Sequence, residues 1–196
     1  MNTMHTQWIL IAGAIAAASI ALAVWFSYRK KQSKRLHDRF GPEYDRAVED
    51  LGSRTKAESE LKTRERRVDK LDITSLTAAE AARFSGSWST MQGRFVDNPR
   101  NVVTQADQLV RELMQKRGYP MGDFEHRAAD ISVDHPAVVH NYRAAQALML
   151  LGESGKANTE ELRQAVVHYR ALFDELLEVQ EIPVAAAPPA PAAMHT

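Results

Sequence analysis

Residues Trp8 to Tyr28 read WILIAGAIAAASIALAVWFSY, with no charged side chain among them. As an α-helix rising about 1.5 Å per residue, this run is about 31 Å long, close to the hydrocarbon thickness of a bilayer. Trp8 stands at one end, and Trp25 and Tyr28 at the other. Amphipathic rings favour the two headgroup interfaces, so this placement fits a spanning helix. A transmembrane helix over residues 8–28 is therefore expected, with residues 1–7 as a short segment before it.

The charges on either side give the run a direction. A cleaved secretory signal needs a positive region ahead of its apolar core, and Met1 to Gln7 has no Lys or Arg. The cations come afterwards, at Arg29, Lys30, Lys31, Lys34 and Arg35. By the positive-inside rule, the C-terminal side lies in the cytoplasm and the N-terminus outside. The same basic segment, residues 29–42, has a second possible role, because each Lys or Arg near an anionic leaflet gains about 1 kcal/mol. Topology signal is the simpler reading. Within the span, Gly13 and Ala17, Ala14 and Ala18, and Ala17 and Ala21 are each four apart. Small residues at that spacing let two membrane helices approach closely, so a homodimer is a candidate state.

Beyond Gly41-Pro42 a charged segment runs from Glu43 to Leu71, with sparse apolar positions at Tyr44, Val48, Leu51, Leu61, Val68 and Leu71. Charges of both signs fill the rest, as in KAESELKTRERRVDKL. The pattern predicts a long, solvent-rich juxtamembrane helix, a stalk with a narrow seam for a neighbour or a short coiled coil. Gly52-Ser53 is expected to weaken or bend it.

From residue 72 the apolar period is helical throughout. Thr77-Ala-Ala-Glu80 has the form of a capping box, and Ala81, Phe84, Trp88, Met91 and Phe95 follow as one stripe. Asp97-Asn98-Pro99 breaks it and opens a helix with Val102, Ala106, Leu109 and Leu113, stopped by Gly118. A short helix over residues 123–131 comes next. Asp134-His135-Pro136 then starts another, with Val138, Tyr142, Ala145 and Met149 inward, and Asp134 as its cap. Asn158 and Glu161 cap the last, which carries Leu162, Val166, Tyr169, Phe173 and Leu176. No stretch alternates with period two. The class is all-α, and short connections predict an antiparallel bundle of about four helices over residues 72–182. The last stretch, PVAAAPPAPAAMHT (residues 183–196), has four prolines, six alanines and no charge. Such a composition buries too little to offset ordering entropy, and a disordered tail is expected.

Four phrases set this chain apart from a generic bundle: RLHDRFGPEYDRAV (Arg35 to Val48), RFVDNP (Arg94 to Pro99), KRGYP (Lys116 to Pro120) and SVDHP (Ser132 to Pro136). In these the chain, from about residue 35 to 150, resembles a set of uncharacterised bacterial proteins with one N-terminal membrane helix and a cytoplasmic helical domain. The resemblance implies a bacterial source, single-pass topology and residence in the inner membrane. It brings no activity with it.

The chemistry-bearing residues point no further. There is no cysteine, hence no disulfide framework, no thiolate nucleophile and no Cys-based zinc site. Basic and acidic residues balance at 25 each, which argues against a nucleic-acid-wrapping protein. Seven histidines include no Glu-x-x-His or H-E-x-x-H pattern, so neither a metal nor another cofactor is implied. Asp130, Asp134 and His135 are the one polar cluster able to make an acid/base pair or a cation site. The function expected from all this is a membrane-anchored, non-enzymatic interaction or scaffold module, with the bilayer and an unidentified protein as partners. The alternative is a membrane-bound enzyme or small-ligand sensor with a pocket between bundle helices.

Overall fold

The computed structural model describes the backbone of residues 2–177 and the side chains of residues 18–177. These residues form eight α-helices and no strand: α1 (Asn2–Phe40), α2 (Pro42–Leu51), α3 (Arg54–Val68), α4 (Ala78–Gln92), α5 (Pro99–Arg117), α6 (Phe124–Asp134), α7 (Val139–Glu153) and α8 (Thr159–Leu176). They gather into two compact units. Of the described residues, the first comprises those up to 71 and 121–144, the second 72–120 and those from 145 to 177. The all-α class is as the periodicity predicts. Within the stretch expected to form the bundle, residues 121–144 group with the N-terminal helices.

In the first unit α1 does not end where its apolar run ends. It continues through the basic segment to Phe40 as one helix, and Leu36 and Phe40 are fully buried. Gly41, with φ +50°, turns the chain, and Pro42 opens α2 at a position where its missing N–H is no loss. The charged stalk expected over residues 43–71 is two helices, parted where Gly52 takes the left-handed conformation (φ +62°) and closes α2. About half of their residues are exposed, and the seam between is covered. Tyr44 and Ala47 from α2, Ala57, Leu61 and Val68 from α3, and Ala128, Ile131 and Val133 from α6 are all buried. The sparse seam was sufficient because α1, α2, α3 and α6 pack on one another and share a core.

In the second unit the caps stand where the sequence puts them. Thr77 Oγ1 accepts from the Glu80 amide at 3.3 Å, while the Glu80 carboxylate accepts from the Thr77 amide at 3.0 Å. Phe84, Trp88 and Met91 are buried, and the Trp88 ring lies 4.6 Å from Phe173 of α8. The helix stops at Gln92, so Phe95 sits in the following turn and is only half-buried. Asn98 caps α5 and Gly118 ends it. The Asn158–Glu161 box opens α8, whose Leu162, Val166, Tyr169, Phe173 and Leu176 are all buried.

Among the described residues, no helix is long and apolar enough to cross a membrane. Within the apolar run, side chains are described for residues 18–28, about 16 Å of helix and half of a hydrocarbon core. Trp8 and the small residues Gly13, Ala14 and Ala17 lie outside the described side chains, and the Ala/Pro tail lies outside the described residues altogether.

Candidate functional site

The residues that follow the apolar run share one side of α1. Phe26, Arg29, Lys30, Ser33, Lys34 and His37 recur at intervals of three and four, which a helix turns into a continuous stripe. Opposite that stripe stand Arg54 and Thr55 in the first turn of α3. Together they line a groove of about 790 Å³ in the first unit. Arg29 ties the two walls, donating from Nη2 to Thr55 Oγ1 at 3.1 Å, with its guanidinium carbon 5.1 Å from the centre of the Trp25 ring. The Tyr44 hydroxyl forms the floor. It lies 3.1 Å from Ser33 Oγ and donates to Glu58 Oε1 at 3.0 Å.

Charge in this groove is one-sided. Four cations, Arg29, Lys30, Lys34 and Arg54, face two carboxylates, Asp38 and Glu58, and Glu58 is buried under its Tyr44 hydrogen bond. The remaining expected basic residues go elsewhere. Lys31 is exposed and does not line the groove. Arg35 crosses to α3, where it and Arg39 both hold the buried Glu65, at 2.6 and 3.0 Å.

The polar cluster at Asp130, Asp134 and His135 is divided by burial. Asp130 is buried and paired with Arg67 of α3 at 2.6 Å. Asp134 is exposed and is the last residue of α6, five positions before α7 begins, so it does not occupy the capping position expected of it. The chain between is a turn at residues 136–138, which moves the start of α7 to Val139. His135 is buried at the end of α6. Among the described residues no group of three His, Asp or Glu is arranged to hold a metal ion.

Other shifted groups belong to helix ends. Asp123 caps α6, and the His126 amide and ring bonded to it hold its carboxyl below the usual range. The Arg163 side chain does the same for Glu160 on α8. Arg143 joins α7 to Glu43 of α2 and Glu125 of α6 at 2.8 and 2.6 Å. Burial works against its charge, but its hydrogen bonds to Glu43 and then Glu125 outweigh it and raise the guanidinium pKa.

Periodicity alone missed the α3 half of the groove and every one of these ion pairs. Arg54 and Thr55 are about 25 residues from Arg29, and spacing along a chain reports nothing about which helices become neighbours. The signal that was present is a row of Glu positions (43, 58, 65) on the same faces as the apolar seams. No protein-family model matches the chain, and neither a curated protein nor a solved structure matches it.

Proposed function

We propose that this is a single-pass membrane protein, with α1 as its anchor, whose helical region is a non-enzymatic interaction or scaffold module on the cytoplasmic side. One observation carries the reading. Residues 18–28 of α1, among them Ile20, Leu22, Val24, Trp25, Phe26 and Tyr28, are exposed on every side of the helix. A helix apolar all round needs an apolar solvent, and among the described residues no protein core covers these side chains. Ten further uncharged residues of the run precede them, giving the full 8–28 stretch the length of a bilayer core. The cations that follow favour an inside location for what comes after. A bacterial inner membrane is the setting that the resemblance in the RFVDNP, KRGYP and SVDHP phrases supports.

The absence of a linker gives the proposal its mechanical content. α1 passes from the apolar run to Phe40 unbroken, and Leu36 and Phe40 are part of the first unit's core. The first unit is thereby held rigidly at the membrane surface, a useful property for a module that presents surfaces to a partner. The competing enzyme or sensor reading places a pocket near Asp130, Asp134 and His135, and of these the Asp130 carboxylate is paired with Arg67.

Carbonate extraction of native membranes, combined with protease treatment of intact cells, tests the proposal. The full-length chain should stay with the membrane and its folded region should be shielded. Release by carbonate, or digestion of the region from outside, would overturn it. Affinity capture of the full-length protein from the same membranes tests the scaffold part. A reproducible stoichiometric partner is expected.

A further inference from the structure

We propose that the groove between α1 and the start of α3 binds the phosphate headgroup of an anionic phospholipid in the leaflet that α1 leaves. The inference rests on α1 being a membrane anchor, and it gives the basic segment a binding role in addition to a topological one. The argument begins with depth. Trp25 and Tyr28 mark the end of the apolar run, and Arg29 to Ser33 extend about 7 Å further along the same unbroken helix. The polar layer of a bilayer is about 5–7 Å thick on each side, so the end of the groove lined by Phe26, Arg29, Lys30 and Ser33 lies at headgroup level when the aromatic residues lie at the interface.

Its chemistry suits a phosphate diester. Arg29 and Arg54 offer planar guanidinium forks, which match phosphate oxygens in pairs, and Lys30 and Lys34 add point charges. Thr55 supplies a hydroxyl between them, and the positive end of the α3 dipole adds to the same field. At the other end of the groove Phe26 gives an apolar surface for the first carbons of an acyl chain. An acidic protein segment would meet the cations but not this continuity with an exposed apolar helix. That favours lipid.

The fixed wall matters as much as the charge. Arg29 is hydrogen-bonded to Thr55, and Tyr44 links Ser33 to Glu58, so both walls stay in place without a ligand. A surface of mobile lysines would concentrate anionic lipid without selecting a site. This groove is built to retain one molecule.

The test uses the full-length chain in nanodiscs of phosphatidylcholine with and without phosphatidylglycerol, followed by native mass spectrometry of the lipid that stays bound. Retention of phosphatidylglycerol in preference to phosphatidylcholine is expected. Arg54→Glu lies on α3, outside the topology signal, and should lower that retention about twentyfold, since reversal removes two charge contributions. Lys34→Gln should lower it about fivefold. Lys70→Glu, an equal charge change at an exposed site outside the groove, should leave it unchanged. Equal retention by wild type and both groove variants would overturn the inference, as would loss of the lipid to inorganic phosphate at matched ionic strength or to an acidic peptide. Carbonate extraction of the same wild-type discs keeps the two readings apart. A chain that resists extraction but shows no lipid preference refutes the groove alone, whereas a chain that washes out refutes the anchor.

Discussion

Arg67 Nη2 lies 2.6 Å from Asp130 Oδ1 and joins α3 to α6 across 63 positions of sequence. Asp130 is 4% exposed and Arg67 36% exposed, so the two partners do not contribute equally. Removing the arginine leaves a buried carboxylate without its counter-ion, a loss of about 3–5 kcal/mol for a fully buried pair. Water reaches the arginine side, which reduces the effect. Arg67→Ala should therefore destabilise the first unit by about 2 kcal/mol, and Asp130→Asn by about 1 kcal/mol, because a neutral amide needs less compensation. Urea unfolding of the full-length chain in detergent, followed by circular dichroism, gives both values. Equal losses for the two variants would show that the pair behaves as a surface contact.

The capping box at the start of α4 makes a prediction about pH. The hydrogen bond from Lys116, followed by those from the Thr77 amide and hydroxyl, lowers the Glu80 carboxyl from 4.5 to about 2. A carboxylate with a depressed folded-state pKa contributes stability that is fully present above its unfolded value. That stability is lost as the pH falls through the folded value. The difference in melting temperature between wild type and Glu80→Gln should therefore be constant from neutral pH down to about 5. It should shrink between pH 4.5 and about 2 and vanish below that. A difference that grows on acidification would contradict the assignment.

Two glycines with positive φ separate backbone strain from steric clash. Gly52 at φ +62° has open space around the position a Cβ would take. Gly118 at φ +100° does not, since its Cβ would run into the Asp72 carbonyl oxygen. Gly52→Ala should cost about 1 kcal/mol, the left-handed penalty alone. Gly118→Ala adds a clash against backbone that cannot swing away, and should cost at least 3 kcal/mol in the second unit. Melting temperatures of the two variants check the order. If Gly118→Ala proves the milder change, residue 72 is not held against α5 as described.

The sequence carried local information faithfully and long-range information hardly at all. The boxes at Thr77–Glu80 and Asn158–Glu161, the Asn98-Pro99 start and the Gly118 stop each concern neighbours within four residues, where helix geometry leaves little choice. Burial along α8 was equally legible, because one apolar stripe has only one inward direction. The segment 43–71 is the opposite case. Its charge density implied solvent, yet Glu43, Glu58 and Glu65 are buried with Tyr44 or arginines brought from α1, α3 and α7. Those partners lie up to 100 residues away. The candidate groove was half visible for the same cause, its α1 stripe being periodic and its α3 wall being a tertiary fact.

Arg143 gives the sharpest test of that ionic arrangement, because it holds two carboxylates in different settings. Its Nε donates to Glu43 Oε1 at 2.8 Å and its Nη2 to Glu43 Oε2 at 3.3 Å, while Nη1 reaches Glu125 Oε2 at 2.6 Å. Glu43 is 5% exposed and Glu125 65%. A double-mutant cycle should find about 1.5–3 kcal/mol of coupling between Arg143 and Glu43, as expected for a buried charge-assisted pair. The coupling to Glu125 should be no more than about 0.5 kcal/mol, despite its shorter distance, because water screens it and the exposed side chain loses entropy on being held. Arg143→Lys should lose most of the Glu43 coupling, since one ammonium cannot replace two guanidinium nitrogens at fixed spacing. Similar coupling energies for the two glutamates would mean that contact distance, not burial, decides how strongly this unit is tied together.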